Sequence, residues 1–485
     1  MSIASPRSKL FPNNINNILF LMPDTALPSL NDDILLEIFS YCRDVEPVTI
    51  WVVSHTCRQW RRVALEHSLL WTHIVVDRTT ARYLGSTSAL LWLDTWLQRA
   101  GPERDLDVVL NFTNISKSRV RKAKSLRVGS ILLLASHHAY RWRTLTYTLM
   151  GEDGSLRTAP QGVPASQNQN PMLNELRKTL ANMPRLQSVC FSQNFLSQGS
   201  PDITPQYVHS LLSPKAAPRL RRVALTNIVA NNDAVSCWPM EELSYTFIGD
   251  SVLVVDLAAP LLHKYAASRL RLSGSPGALP LSQTDVPTLE RLEVLTADLD
   301  VYLAEMVRHA PMPYLSELIL LASNPRDPLL IKQNMQAHDR YSLQLLDELS
   351  QRPSASILKK ISLSLPFRDI PWSSIAQFDG LEVLRIVKPS TDIFWLQYPS
   401  PLSMLYNPST KPLGWVLPQL RLLFLEETEP YTFTRFGLTG GADYLVSETK
   451  RLFQRRSDVA KGSAAMTASL SIHLVGLEAR LDIQM

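Results

Sequence analysis

The sequence predicts an α/β protein in two unequal parts: a short all-α module near the N-terminus and, behind it, an irregular array of strand–turn–helix units. Three observations carry that expectation. Residues 27–71 hold apolar positions at helical spacing. From residue 172 onward one phrase keeps returning: apolar, two residues, apolar, one residue, apolar. A proline stands two places ahead of five of these phrases, where it halts a helix and keeps its neighbours extended.

Bulk properties bound the answer. The 485 residues suffice for two or three domains, or for a short module with an extended array. Hydrophobic residues at 45% and charged residues at 19% are ordinary globular values. Lys and Arg number 49 against 44 Asp and Glu, a formal charge of +5 that gives no push toward nucleic acid. Cys42, Cys57, Cys190 and Cys237 are far apart and form no C-x-x-C pair, which fits inert thiols in a reducing compartment. No apolar run approaches the roughly 18 residues of a membrane span. Asparagines at 13, 14, 16 and 17 interrupt any signal-like core, so residues 1–24 read as a loose leader. The sequons at Asn111 and Asn114 then have no role.

The module occupies residues 25–76. Pro28 halts the preceding segment, and Ser29 with Asp32 has capping-box spacing. Ile34, Leu35, Ile38 and Phe39 define one face of a first helix. After Pro47, Ile50, Val52 and Val53 begin a second, and Cys57, Trp60, Val63 and Ala64 line a third. Leu69, Leu70 and Trp71 close the segment. A unit of roughly 45 residues has little core of its own, so a helical module that completes itself against another protein is the economical reading. An ordinary three-helix piece of a larger domain is the alternative.

Leu27-Pro28, the pair Asp32-Asp33, Ile34-Leu35 with Ile38-Phe39, then Thr56-Cys57-Arg58, Trp60-Arg61 and Leu70-Trp71 together resemble the F-box, as found in fungal F-box proteins. Thr56 stands where the family's most typical form has Val, and Cys42–Val48 is a longer insert. The resemblance implies docking to a Skp-type adaptor within a cullin–RING ubiquitin ligase. The residues expected to carry it are Leu27, Pro28, Ile34, Leu35, Ile38, Phe39, Val53, Cys57, Trp60 and Trp71, some of them internal core.

Residues 77–170 read as linking units. His73–Val76 is a short strand, 88–99 a helix ended by Gly101-Pro102, and 106–112 a strand. Ile131–Ala135 is helical, Trp142–Met150 extended, and Gly151–Pro171 a loop. This stretch is weakly similar to the region behind the F-box in many mushroom-type fungal proteins.

The array spans residues 171–485. Its phrases are Leu186/Val189/Phe191, Leu220/Val223/Leu225, Leu289/Leu292/Val294, Leu315/Leu318/Leu320, Leu358/Ile361/Leu363, Leu381/Leu384/Ile386 and Leu420/Leu423/Leu425. The last two apolar residues of each point the same way across a pleat, into a core. Helical segments at 172–182, 299–310 and 341–350 lie between phrases, and degenerate units are expected around Leu243 and Leu262. Strand, turn and helix in alternation are the grammar of a leucine-rich-repeat solenoid. A doubly wound α/β domain is the alternative. The tail carries a helix over Asp443–Arg455 and a strand at Ser471–Val475, a cap for the array.

Catalytic chemistry finds little support. The chain has no G-x-S-x-G, P-loop, H-E-x-x-H or dinucleotide fingerprint. His137 and His138 are adjacent and diverge by about 100° on a helix, which is poor for sharing a metal. Gly440-Gly441 reads as a loop turn. The basic run at 117–127 reads as a solvated face, with nuclear import or an anionic contact as the alternative. No cofactor or metal is expected. The functional surface is the sheet face between the core positions, with Arg222, Arg291, Glu293, Ile319, Lys360, Arg385 and Phe424 as target-binding candidates.

The expected function is a non-catalytic substrate-recognition subunit of a Skp–cullin–F-box ligase, in the cytoplasm or nucleus. It would bind the adaptor, the cullin and an unidentified target, with no membrane role. A repeat scaffold acting outside ubiquitin transfer is the rival reading.

Overall fold

The computed structural model describes residues 30–45, 49–77, 86–111, 134–150, 182–194, 214–226, 238–247, 265–274, 289–298, 310–321, 345–364, 372–388, 417–427, 447, 450–455, 458, 471–475 and 481–484. The expected helices at 172–181, 299–309 and 341–344, and Leu262, lie outside them. Contacts divide the chain into two compact units, Met1–Tyr147 with Val163–Leu186, and Thr148–Gly162 with Gln187–Met485.

In the first unit, α1 (Asp32–Val45), α2 (Thr49–Val53) and α3 (Arg58–Glu66) are followed by a 3₁₀ turn (Ser68–Trp71). Ser29, the expected capping residue of α1, lies outside the described residues. The Asn31 side chain accepts from the Asp33 backbone N–H at 3.1 Å, and Asp32 and Asp33 place negative charge at the positive end of the helix dipole. Leu35, Phe39, Ile50, Val53, Val63 and Ala64 form the buried faces of the three helices.

Strands β1 (His73–Asp77), β2 (Leu106–Asn111) and β3 (Trp142–Met150) lie side by side in that order, β1 and β2 parallel. Between β1 and β2 runs α4 (Ser86–Ala100), which packs Trp92, Leu93, Trp96, Leu97 and Ala100 inward. Gly101, at φ +78°, ends it, as a residue without Cβ can at a left-handed position. Trp71 turns its edge toward Trp96, ring centres 4.9 Å apart, and Trp96 leans on Trp92 at 4.9 Å. Buried Arg141 satisfies itself on main-chain oxygens, donating from Nε to Arg104 O at 2.9 Å and from a terminal nitrogen to Gly101 O.

In the second unit β4 (Ser188–Asn194), β5 (Arg222–Thr226), β6 (Trp238–Phe247), β7 (Tyr265–Gly274), β8 (Val294–Asp298), β9 (Glu317–Leu321), β10 (Lys360–Ser364), β11 (Val383–Lys388), β12 (Leu422–Glu427), β13 (Ser471–Val475) and β14 (Leu481–Gln484) pair in sequence order. Each step from β4 to β13 is parallel, and β14 alone runs antiparallel.

The register aligns two core rows. Val189, Val223, Leu243, Leu270, Leu295, Leu318, Ile361, Leu384 and Leu423 face one another across neighbouring strands. Two residues on, Phe191, Leu225, Tyr245, Leu272, Ala297, Leu320, Leu363 and Ile386 form the second row, all nearly solvent-free. A strand at period two exposes only alternate residues to that side, so a row buried across strands defines the core face.

Six of these strands (β4, β5, β8, β9, β11 and β12) are entered by the same turn. Leu186, Leu220, Leu292, Leu315, Leu381 and Leu420 donate their N–H to the carbonyl three residues back, on Met183, Ala217, Leu289, Met312, Phe378 and Leu417. All twelve side chains are buried. This turn corrects one phrase. Leu289 is the turn residue and Leu292 the first leucine, so the strand core is Leu295/Ala297, and Val294 faces the other side. The β7 core, Ala267/Leu270/Leu272, also escapes the sequence reading, because alanine stands where the phrase calls for a large residue.

Candidate functional site

The first candidate surface lies on α1. Residues 34, 38, 41 and 45, with Leu30 just ahead of the helix, fall within one arc at about 100° per residue. Their side chains stay in solvent: Ile34 is 48% exposed, Ile38 40%, Tyr41 72% and Val45 68%. Leu35 and Phe39, roughly a quarter-turn or more away, are fully buried. One helix therefore carries two apolar faces, and the module's own core uses only one. Val52 and Leu69 add exposed apolar groups, and Arg43 Nη1 donates to Leu69 O at 3.1 Å, which holds that residue near the end of α1.

Polar clamps hold α1 in place. Asp32 accepts from Gln59 Nε2 at 3.1 Å and from Arg62 Nη2 at 2.7 Å, and Gln59 also donates to Leu30 O at 2.7 Å. The Gln59 amide first, and then the Arg62 guanidinium, hold the Asp32 carboxyl below its ordinary value. At the C-terminal side a cleft of about 410 Å³ is lined by Arg43, Asp44, Leu69, Thr72, His73, Arg104, Asp105, Asp107 and Arg143. Its charges brace one another: Arg43 with Asp44 at 2.7 Å, Arg143 with Asp107, and Asp105 with Arg185 at 2.8 Å. Burial lowers the His73 pKa, so its imidazole favours the neutral form among these pairs.

The expected adaptor residues differ in where they lie. Ile34 and Ile38 lie on the free arc, and Trp60, half-buried, meets Phe39 edge-on at 5.4 Å. Leu35, Phe39, Val53 and Trp71 are instead module core. Trp71 also donates its indole N–H to Ala64 O at 2.7 Å. Exposed Cys57 caps α3, its sulfur accepting from the Trp60 backbone N–H at 3.5 Å. Leu27 and Pro28 lie outside the described residues. Tyr41 and Val45 were missed, although continuing the helical period from Ile34 and Ile38 leads to them.

The second candidate surface is the face of the β4–β14 sheet opposite the core rows. Arg222, Lys360 and Arg385 project there exposed, and Ile319 and Phe424 are half-buried. Arg291 and Glu293 do not belong to it. They sit in the turn before β8, and Val294 and Thr296 take the places they were expected to fill. Arg269 and Arg271 on β7 join the surface, having been missed together with their strand. Among the described residues no group of three His, Cys, Asp or Glu is arranged to hold a metal, and no helix is long and apolar enough to cross a membrane.

With this geometry in view, residues 27–77 match the family model for F-box-like domains. The matched segment contains α1–α3, the 3₁₀ turn and β1. The chain thus carries an F-box-like domain at that position. No curated protein matches the chain.

Proposed function

We propose that the chain is the target-recognition subunit of a Skp–cullin–F-box ubiquitin ligase. In this reading the free arc of α1 docks on a Skp-type adaptor, which joins the chain to a cullin. The sheet of the second unit, a leucine-rich-repeat-like solenoid, binds the target on its open face. The chain supplies no chemistry of its own. It holds the target where ubiquitin is delivered, and the gain is one of proximity. The working compartments are the cytoplasm and nucleus.

One observation carries the reading: within the segment that matches the F-box-like domain, Ile34, Ile38, Tyr41 and Val45 form a solvent-exposed apolar arc distinct from the buried Leu35/Phe39 face. Contiguous exposed apolar patches are the mark of a partner site. The unreversed strand order supports the solenoid, since a doubly wound sheet turns back at its switch point.

The test is co-purification of the full chain with a Skp-type adaptor and cullin. Ile34→Asp with Ile38→Asp should remove both partners while the unfolding transition stays in place. Undiminished adaptor binding would sink the docking claim. Adaptor capture without cullin would favour a scaffold outside ubiquitin transfer.

A further inference from the structure

Large apolar side chains on the open face of the sheet gather toward its C-terminal strands. On β5–β7 the outward rows carry Arg222, Arg269 and Arg271 among Ser, Thr and Ala side chains. On β8–β12 the same rows gain large apolar side chains, Val294, Ile319, Leu321, Val383, Leu422 and Phe424, interspersed with Glu317, Lys360 and Arg385. Arg222, Arg269 and Arg271 are exposed and form no ion pair among the described residues. Glu242 lies between Arg222 and Arg269 in the register, yet bridges to neither. Counting the outward positions whose side chains are described, five cations (Arg222, Arg269, Arg271, Lys360 and Arg385) face two carboxylates (Glu242 and Glu317).

We propose that this face takes an extended acidic–apolar segment of the target, its Asp and Glu side chains over Arg222, Arg269 and Arg271 and its apolar side chains over β8–β12. The inference rests on the target-binding reading given above and adds the chemistry of the partner. Basic targets are disfavoured, because Arg222 on β5 and Arg269 and Arg271 on β7 would meet like charge. Strands spaced about 4.8 Å apart put β5 and β12 about 34 Å apart along the sheet. An extended segment of about ten residues covers that distance.

The test selects binders to the full chain from a displayed library of random 16-residue peptides. Selected peptides should carry Asp and Glu in one half and Leu, Ile, Val or Phe in the other. A synthetic peptide from the selection should bind the Arg269→Glu, Arg271→Glu variant about tenfold more weakly, and bind the unaltered chain more weakly as salt rises. Both arginines are exposed, and an unchanged unfolding transition shows that the variant folds. Selection without acidic bias, or of no binder at all, overturns the proposal. If unbiased peptides still lose affinity when Ile319→Ser or Lys360→Glu is introduced, the face binds targets but not by this chemistry. Acidic–apolar peptides indifferent to every substitution on the face overturn the proposal and the target-binding reading together.

Discussion

The guanidinium carbon of Arg99 stands 4.4 Å from the centre of the Trp71 ring, and 5.0 Å from that of Trp51. The two indoles meet edge to face at 86° with centres 6.5 Å apart, so one cation serves two aromatic faces. Burial pushes the Arg99 pKa down, with Arg61 adding to it, and one terminal nitrogen has no hydrogen-bond partner among the described residues. The π faces are therefore its main compensation. Trp71→Ala, which removes a fully buried ring, should cost about 3–5 kcal/mol by denaturant titration. Arg99→Met keeps the apolar stem and loses the charge, and should cost no more than about 2 kcal/mol.

Asp32 sets an acid limit on the anchoring of α1. Its pKa is lowered in the folded state, so the unfolded chain takes up the proton first as pH falls. The clamp to Gln59 and Arg62 is complete above the ordinary value of 3.8 and is lost as pH drops through the depressed one. Thermal midpoints of the unaltered chain and of Asp32→Asn should differ by a constant amount above that range and converge below it.

The phase of β8 can be checked directly. Leu295, fully buried in the core row, should cost about 2–5 kcal/mol when replaced by Ala. Its neighbour Val294, on the opposite face, should cost less than about 1 kcal/mol. Equal costs at the two positions would restore the phase expected from the Leu289/Leu292/Val294 phrase.

Gly380 lies in the turn ahead of β11, and a Cβ there would fall inside contact distance of the Ser356 carbonyl oxygen. Backbone cannot step aside as a side chain can. Gly380→Ala should therefore destabilise the second unit by about 1–3 kcal/mol, read as a shift of its denaturation midpoint.

The strand phrases were legible because each needs large apolar residues at fixed spacing, and a parallel sheet with a continuous core row tolerates few exceptions. The same rule hid β7, where Ala267 occupies a place that leucine marks elsewhere, and it misplaced β8. There the run Leu289, Leu292, Leu295 offers two registers that differ only by where the turn begins. On α1 the helical period identified Ile34, Leu35, Ile38 and Phe39 together. It could not divide them, since a helix apolar on two arcs looks the same in sequence whichever arc finds a neighbour. The sequence could not single out Asn31 as a cap for a similar reason: several residues near a helix start can accept from its free N–H groups.

At six steps of the sheet one carbonyl receives two successive N–H groups of the next strand: those of Gln187, Arg221, Glu293, Ser316, Lys359 and Glu382, from Arg221 and Arg222 on Gln187 O to Arg421 and Leu422 on Glu382 O. The chain between consecutive hooks varies widely, 20 residues from Arg221 to Glu241 but 43 from Ser316 to Lys359. Doubling a loop costs only about 0.6 kcal/mol of closure entropy, so this variation leaves the ladder nearly unaffected. The connecting segments are thus open to lineage-specific insertion and deletion. A family built this way would drift fastest in length between hooks, and its strand entries would be the landmarks by which distant members could still be aligned.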